Sequence, residues 1–389
     1  MKYLFERDTL FATLMVFIGI WLFSHLPFNT HILDPIRLAL HDFDYNDIAY
    51  SRLHKGENTK MDTSITIIDI GRADRGVIAD VVTTLRAYQP KAIGIDLTFD
   101  GDKDSLLDAK LGEAIKNTPN LVLAEEIIIE REPHKAPSKF LDIAPHRGFA
   151  NLGEEKGGVV RAFHPVDKAD HNKKLHFSVA TATISDPEKA NAFLRRDHEA
   201  EIINYSRKEH QYLNLNYADL LEGTVDSSKL RNKTVLIGFV GTPNDLEDKQ
   251  FTPMNPKFAG KTIPDMPGVV VNANIISMIH EGNFINSLPT WVEFLIAFLL
   301  TWVHMAFFIS YYIERHIWFH LAAKVAQLLS AVLFVYIGLY CFFYLSWKID
   351  LTLTLAGIIL AVDILYFYEA LARWLHKRFK YPTVFPTRH

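Results

Sequence analysis

Three aspartates stand where a ligand would meet charge. Asp69 sits at the end of the apolar run ITIIDI (65–70), Asp96 near the end of AIGIDL (92–97), and Asp245 follows GFVG (238–241) after the run TVLIGF (234–239). Short apolar runs of this length read as buried strands, and open parallel sheets bind ligands outside the carboxyl ends of their strands. Carboxylates gathered there would hold Ca²⁺ or Mg²⁺, which take oxygen ligands, or receive a cationic group. The same residues also read as helix caps and as acceptors for loop amides, because a short carboxylate bonds nearby backbone N–H groups.

Other candidate chemistry is thinner. Glycines in GFVG would let backbone amides approach a phosphate, but no G-x-G-x-x-G or Walker spacing accompanies them, so the segment reads as a tight turn. His164, Asp167, Asp170, His171 and His176 crowd one polar stretch, yet their spacing matches no compact zinc pattern and no metal is expected. Neither H-E-x-x-H nor G-x-S-x-G occurs, and the one thiol, Cys341, lies in an apolar segment. No enzyme and no cofactor are therefore expected.

The elements that must position these residues are read from hydropathy. Four stretches, 9–26, 291–312, 325–347 and 351–371, are nearly uncharged, and about 20 apolar residues at 1.5 Å rise cross a hydrocarbon core of roughly 30 Å. The reading is an integral membrane protein with a cytoplasmic amino terminus (1–8), one span, a large domain (27–290), three spans and a basic tail (372–389). Arg373, Lys377, Arg378, Lys380 and Arg388 in the tail, with Arg315 and Lys324 between the second and third spans, put those segments inside and the large domain outside. Ser24, His25, Leu26 and Pro27 make a poor cleavage site, so the first span reads as an uncleaved anchor. The expected location is a bacterial inner membrane with a periplasmic domain. That domain carries a net charge of −7 out of the chain's −4, which argues against nucleic acid and against adsorption to acidic lipid. It holds no cysteine, so packing alone must stabilise it.

Within the spans, His304 and Asp363 are the least expected residues. They lie about 20 Å and 18 Å below the outer ends of their helices, so a hydrogen bond or ion pair between them is geometrically allowed. It would serve as a clasp between helices, or as part of a proton or signal path.

Inside the large domain, Val77, Ile78, Val81, Val82 and Leu85 recur at helical spacing, Asp104 can cap a helix carrying Leu111 and Ile115, and a third strand begins at Leu121. A strand is expected at IINY (202–205), a short helix at 217–221, and an apolar helix at 269–279. Asp34 and Pro35 open a predicted stalk helix over 36–53. Alternating strands and helices make the fold class α/β, a mostly parallel sheet with flanking helices, beside a four-span α-helical membrane bundle.

At 235–285 the residues VLIGFVGTPNDLEDKQFTP and IPDMPGVVVNANIISMIHEGNFI resemble the carboxyl-terminal signature of the second subtype of CHASE domain, an extracytoplasmic sensor domain of cyclases and histidine kinases. IIDI at Asp69, KAIGIDLTFD at Asp96 and GFANLGEEKGGVVRAF (148–163) extend the resemblance, as does the plan of one span before the domain and three after it. Arg161, Thr252, Pro253, Pro267 and Gly268 recur as motif residues, with structural roles expected: a buried salt bridge, a rigid turn and a helix start. The resemblance implies a sensor that works as a homo-oligomer. Two features depart from the pattern: Asn272 stands where relatives often carry His, and only 18 residues follow the last span, too few for an output domain. Two functions follow as expectations. One is a sensor for an unknown small ligand or envelope protein that signals through a separate cytoplasmic partner. The other is an accessory or scaffold subunit of an envelope complex.

Overall fold

The computed structural model describes residues 3–25, 44, 46–53, 60–126, 138–152, 158–167, 173–242, 245–246, 248–255, 263–314 and 318–385. The chain divides into two compact units, residues 39–285 and residues 1–38 with 286–389.

The first helix, α1 (Arg7–His25), is apolar and belongs to the split unit. The α/β unit opens with α2 (Asp47–Ser51) and β1 (Asp62–Asp69), then alternates through α3 (Arg75–Tyr88), β2 (Ala92–Asp96), α4 (Ser105–Lys116), β3 (Leu121–Glu125) and β4 (His146–Phe149). Of the predicted stalk helix, 36–43 and residue 45 lie outside the described residues; the described part contains α2. Both crossover helices start at a short acid. Asp74 accepts the N–H of Val77 and Asp104 accepts those of Leu106 and Leu107, so each first turn has a partner for its free donors.

The second half of the unit holds β5 (Ala162–Phe163), β6 (Val166–Asp167), β7 (Lys174–Leu175), α5 (Phe177–Ser185), α6 (Pro187–Leu194), β8 (Glu201–Ile202), β9 (Tyr212–Asn216), α7 (Tyr217–Leu221), β10 (Thr234–Gly238), β11 (Lys249–Gln250), β12 (Met266–Pro267) and α8 (Gly268–Glu281). Six strands form one sheet in the order β4-β3-β2-β10-β1-β9, and every pair in it is parallel. The late strand β10 enters between β1 and β2, so the two early acidic strand ends flank it. The predicted strand at 202–205 shrinks to β8, which pairs only with β5.

Alternation along the strands sorts the two faces. Ile93, Ile95, Leu121, Leu123, Val235 and Ile237 join the apolar core packed by α3 and α4. Gly94 points the other way, where an added Cβ would meet the Phe177 ring of α5 at 2.8 Å. Asp96 shares that second face.

The split unit continues with β13 (Asn286–Ser287), α9 (Thr290–Glu314), α10 (Phe319–Leu345), β14 (Trp347–Lys348) and α11 (Thr352–Phe379). With α1, these are four helices long and apolar enough to cross a membrane. β13 and β14 pair in parallel and bring the start of α9, the end of α10 and the start of α11 to one end of the bundle. Ala12, Val16, Met305, Phe308, Ile309, Ala361, Val362 and Leu365 pack its centre. Helix α11 outruns the apolar stretch 351–371 and ends with His376, Lys377 and Arg378, whose charge suits a helix carboxyl terminus.

Candidate functional site

The strand register aligns the predicted acidic ends. Asp69 of β1 pairs with Gly238 of β10, and Gly238 pairs with Asp96 of β2. Two strand spacings put the Cα atoms of the aspartates about 10 Å apart on one carboxyl edge. Between them the first turn of α8 presses on the sheet: a Cβ at Gly238 would lie 2.8 Å from Val269. Only glycine admits that approach.

The two carboxylates are used differently. Asp69 Oδ1 accepts the backbone N–H groups of Gly71 and Val240, both at 3.1 Å, and so ties the loop after β1 to the loop after β10. Asp96 Oδ2 accepts from Asn272 Nδ2 at 2.8 Å, and Asn272 Oδ1 accepts from Ser178 Oγ at 2.6 Å. This chain of hydrogen bonds joins β2, α8 and α5. Asp96 keeps some exposed surface, but its carboxyl is enclosed by protein; burial pushes its pKa up to about 6, and the Asn272 amide only partly offsets that.

Asp245 lies on the loop after Gly241, whose φ of 69° makes the GFVG segment a tight turn, and its own N–H bonds Thr242 O at 3.0 Å. Among the described residues no three Asp, Glu, His or Cys side chains converge closely enough to hold a metal ion. Asp69, Asp96 and Asp245 are therefore not a metal-holding group among the described residues. Asp69 turns into loop amides while Asp96 turns toward α8.

Two described histidines of the histidine-rich stretch, His164 and His176, have structural partners. His176 is fully buried between the rings of Phe149 and Phe163, and its Nδ1 accepts the N–H of Ser178 to cap α5. Burial lowers its pKa to about 3, so it stays neutral. His164 bonds Glu199 O, and Asp170 and His171 lie outside the described residues.

Arg161 forms the expected salt bridge: its Nε and Nη2 grip both carboxylate oxygens of Asp47 on α2. Thr252 likewise anchors its turn, its N–H and Oγ1 both donating to Asp265. Burial pushes the Asp265 pKa up to about 6 against those bonds.

In the helical unit the proposed His304–Asp363 pair is not formed. His304 Nδ1 meets Leu300 O at 2.7 Å and Nε2 meets Ser330 Oγ of α10 at 2.8 Å, so both ring nitrogens are taken. Asp363 lies on an exposed face of α11. Equal depth allowed the pair, but helix rotation decides it, and hydropathy carries no rotation.

A domain-family comparison bears on these motifs. The CHASE2 domain matches residues 15–307, from within α1 to within α9. This chain belongs to the CHASE2 family. No curated protein and no solved structure matches it. CHASE2 is a sensor domain, and the in-line acidic strand ends, Arg161 and Thr252 all fall within the matched region.

Sequence reasoning missed the residues that hold Asp96 in this CHASE2 domain. Asn272 was singled out only as the place of an absent histidine, yet its amide is what holds Asp96. Ser178 gave no signal of its own. Two further buried amides and hydroxyls on α8 also do structural work. Asn274 accepts from the N–H groups of Ser206 and Arg207 and donates to Arg207 O and Val270 O, while Ser277 donates to Asp62 at 2.5 Å. The pattern VVNANIIS, with polar residues inside an all-round apolar helix, is the signal that would have found them.

Proposed function

We propose that this CHASE2 chain is an integral membrane sensor whose α/β domain lies outside the cytoplasm and reads a ligand or partner at the Asp96 edge of the sheet. The observation that carries this reading is the hydrogen-bonded chain Asp96–Asn272–Ser178. It couples the protonation and position of an enclosed carboxyl to α8, the last helix before α9 in the sequence. A cationic or hydrogen-bonding group arriving at that edge would stabilise the ionised form, and it acts only insofar as it favours one arrangement of α8 over another. The report then goes to a separate cytoplasmic protein.

The basic segments after α9 and α11 support a cytoplasmic location for those ends. The first test is topological. A phosphatase reporter fused after Ala150 is expected to be active and a fluorescent protein at the same place dark; the reverse result places the domain in the cytosol and ends this reading.

One observation favours a second reading, an envelope scaffold. Asp69 is already bonded by two amides of its own loops, which leaves the edge fewer open charges for a small ligand. Isolation of the full chain from its native membrane separates the two. A co-purifying kinase, cyclase or regulator supports sensing, and a secretion or transport assembly supports the scaffold.

A further inference from the structure

Several polar side chains placed mid-helix in the apolar bundle have partners. His304 bonds Ser330, Gln327 Nε2 donates to the carbonyls of Ile358 and Ile359, and Glu369 accepts from Tyr312 and pairs with Arg373. Among those for which none is seen among the described residues, the polar atoms of Thr301 and Trp302 are buried, Tyr340 and Tyr344 lie nearer the end of α10, and two residues are exposed deep in the bundle. Asp363 is exposed on α11, and among the described residues no hydrogen bond or ion pair reaches its carboxylate. Tyr336 is 69% exposed on α10, and no described residue bonds its hydroxyl. Lipid tails offer neither a donor nor an acceptor, so each group left facing them is costly.

Their depths match. Only the short connection that carries β14 separates the end of α10 from the start of α11, so the two ends lie near one level. Tyr336 lies nine residues before Leu345, about 13 Å from that level, and Asp363 eleven residues after Thr352, about 16 Å from it. Side chains lean toward the amino end of their own helix. Because α10 runs toward the level and α11 away from it, the tyrosine leans deeper and the aspartate leans back, and the remaining offset closes. One group is a donor and the other an acceptor.

We propose that the exposed faces of α10 and α11 dock on a second copy of this chain, with the Tyr336 hydroxyl of each copy donating to the Asp363 carboxylate of the other. A two-fold axis along the bilayer normal keeps every residue at its depth, so a self-complementary contact supplies both bonds at once. Apolar neighbours at helical spacing flank each group: Val332 and Leu333 on α10, Ile359 and Phe367 on α11, all exposed. They give the face its packing surface, while the polar pair sets register. The proposal concerns which residues meet, and it stands apart from any ligand at the Asp96 edge.

The test uses the full chain in its membrane. Two tagged copies, one Tyr336→Cys and one Asp363→Cys, each also carrying Cys341→Ser, are expected to cross-link to one another with a short thiol-bridging reagent. Val303→Cys, exposed on α9, paired with Tyr336→Cys is expected not to. In reconstituted bilayers, single-molecule counting of the otherwise unaltered chain should give dimers. Tyr336→Phe or Asp363→Leu should each weaken association by about tenfold, and the double variant little more than either, because both remove the same bonds. A monomeric chain, a dimer cross-linked through Val303 instead, or additive effects of the two substitutions would each overturn the proposal. Capture of a lipid or another membrane protein on this face in place of a second copy would overturn it too.

Discussion

Two carboxyls on opposite faces of the parallel sheet, Asp108 and Asp96, are held by opposite rules. On the face packed by α3 and α4, Arg75 is 5% exposed and Asp108 3% exposed. They pair at 2.6 Å, with Arg75 also donating to the carbonyls of Asp100 and Gly101 and Lys139 Nζ bonding the other Asp108 oxygen. The Arg75 guanidinium holds Asp108 well below the usual carboxylate range. On the other face, packed by α5 and α8, Asp62 accepts from Ser277 and keeps Arg207 as a counter-ion, but Asp96 at the carboxyl edge has the Asn272 amide for company instead of a cation. Its pKa rises where that of Asp108 falls. A matched ion pair locks one charge state, whereas an enclosed carboxyl near pH 6 can change state with its surroundings. That difference separates a carboxyl fixed in one charge state from one whose charge can follow its surroundings.

The largest effect should come from breaking the matched pair. Asp108→Ala leaves Arg75 buried without its counter-ion, and removing one partner of a buried pair costs about 3–5 kcal/mol. Urea unfolding of the full chain in detergent measures it. A loss below about 1 kcal/mol would mean that the carbonyls of Asp100 and Gly101 suffice for Arg75, and the contrast between the two carboxyls would fail. The second-largest effect probes the amide side. Asn274→Ala removes four hydrogen bonds to backbone and strands the N–H groups of Ser206 and Arg207, at a cost of about 2–3 kcal/mol. A near-neutral result would show that the α8 amides are replaceable and that α8 is held by apolar packing alone.

How much of this could be read beforehand divides along the same line. Strand ends at Asp69 and Asp96 were legible because a buried parallel strand is a short apolar run and the chain must leave it through polar residues. Helix starts at Asp74 and Asp104 follow from local capping geometry, of which only Asp104 was read. What could not be read is which distant residue meets which strand end. Asn272 lies 176 residues from Asp96, and Arg75 lies 33 residues from Asp108. Neither spacing is a helical or strand period; only the assembled fold, with β10 and α8 set against β2 and with α3 packed on α4, brings each pair together. The His304–Asp363 expectation failed for a related reason: depth along a helix follows from counting residues, while rotation about its axis depends on neighbours.

A third prediction turns on the sign of the Asp96 shift. Its pKa is raised from 3.8 to about 6 by burial, so the folded chain holds the proton more tightly than the unfolded one. The stability this provides is fully present below about pH 4 and is lost as pH rises through 6. Asp96→Asn keeps an acceptor for Asn272 and never ionises. It should therefore unfold at higher urea than the unaltered chain at pH 7.5, by about 2 kcal/mol after allowing for the exposed part of the residue, and the gap should close by pH 4. Comparison against the unaltered chain at each pH is essential, because His176, with its pKa lowered by burial to about 3, contributes stability of the opposite slope that is lost as pH falls below about 6.5. An Asp96→Asn gap that is constant with pH would remove the carboxyl as a group able to change state.

The smallest effect is also the most specific. Ser178 Oγ donates to Asn272 Oδ1 and thereby keeps the Asn272 amide turned so that Nδ2 faces Asp96. Ser178→Ala deletes that donor and costs about 1 kcal/mol overall, but its diagnostic consequence lies in the pH profile. With the amide free to turn its oxygen toward Asp96, the ionised carboxyl loses its one stabilising bond, and the midpoint near pH 6 should move upward. Substitution of Ser185, whose hydroxyl lies on the same helix and meets His280 Nε2 at 2.9 Å, should leave that midpoint in place. Equal midpoints for Ser178→Ala and the unaltered chain would mean that Asn272 is oriented by α8 packing alone, and that α5 takes no part in setting the charge of the sheet edge.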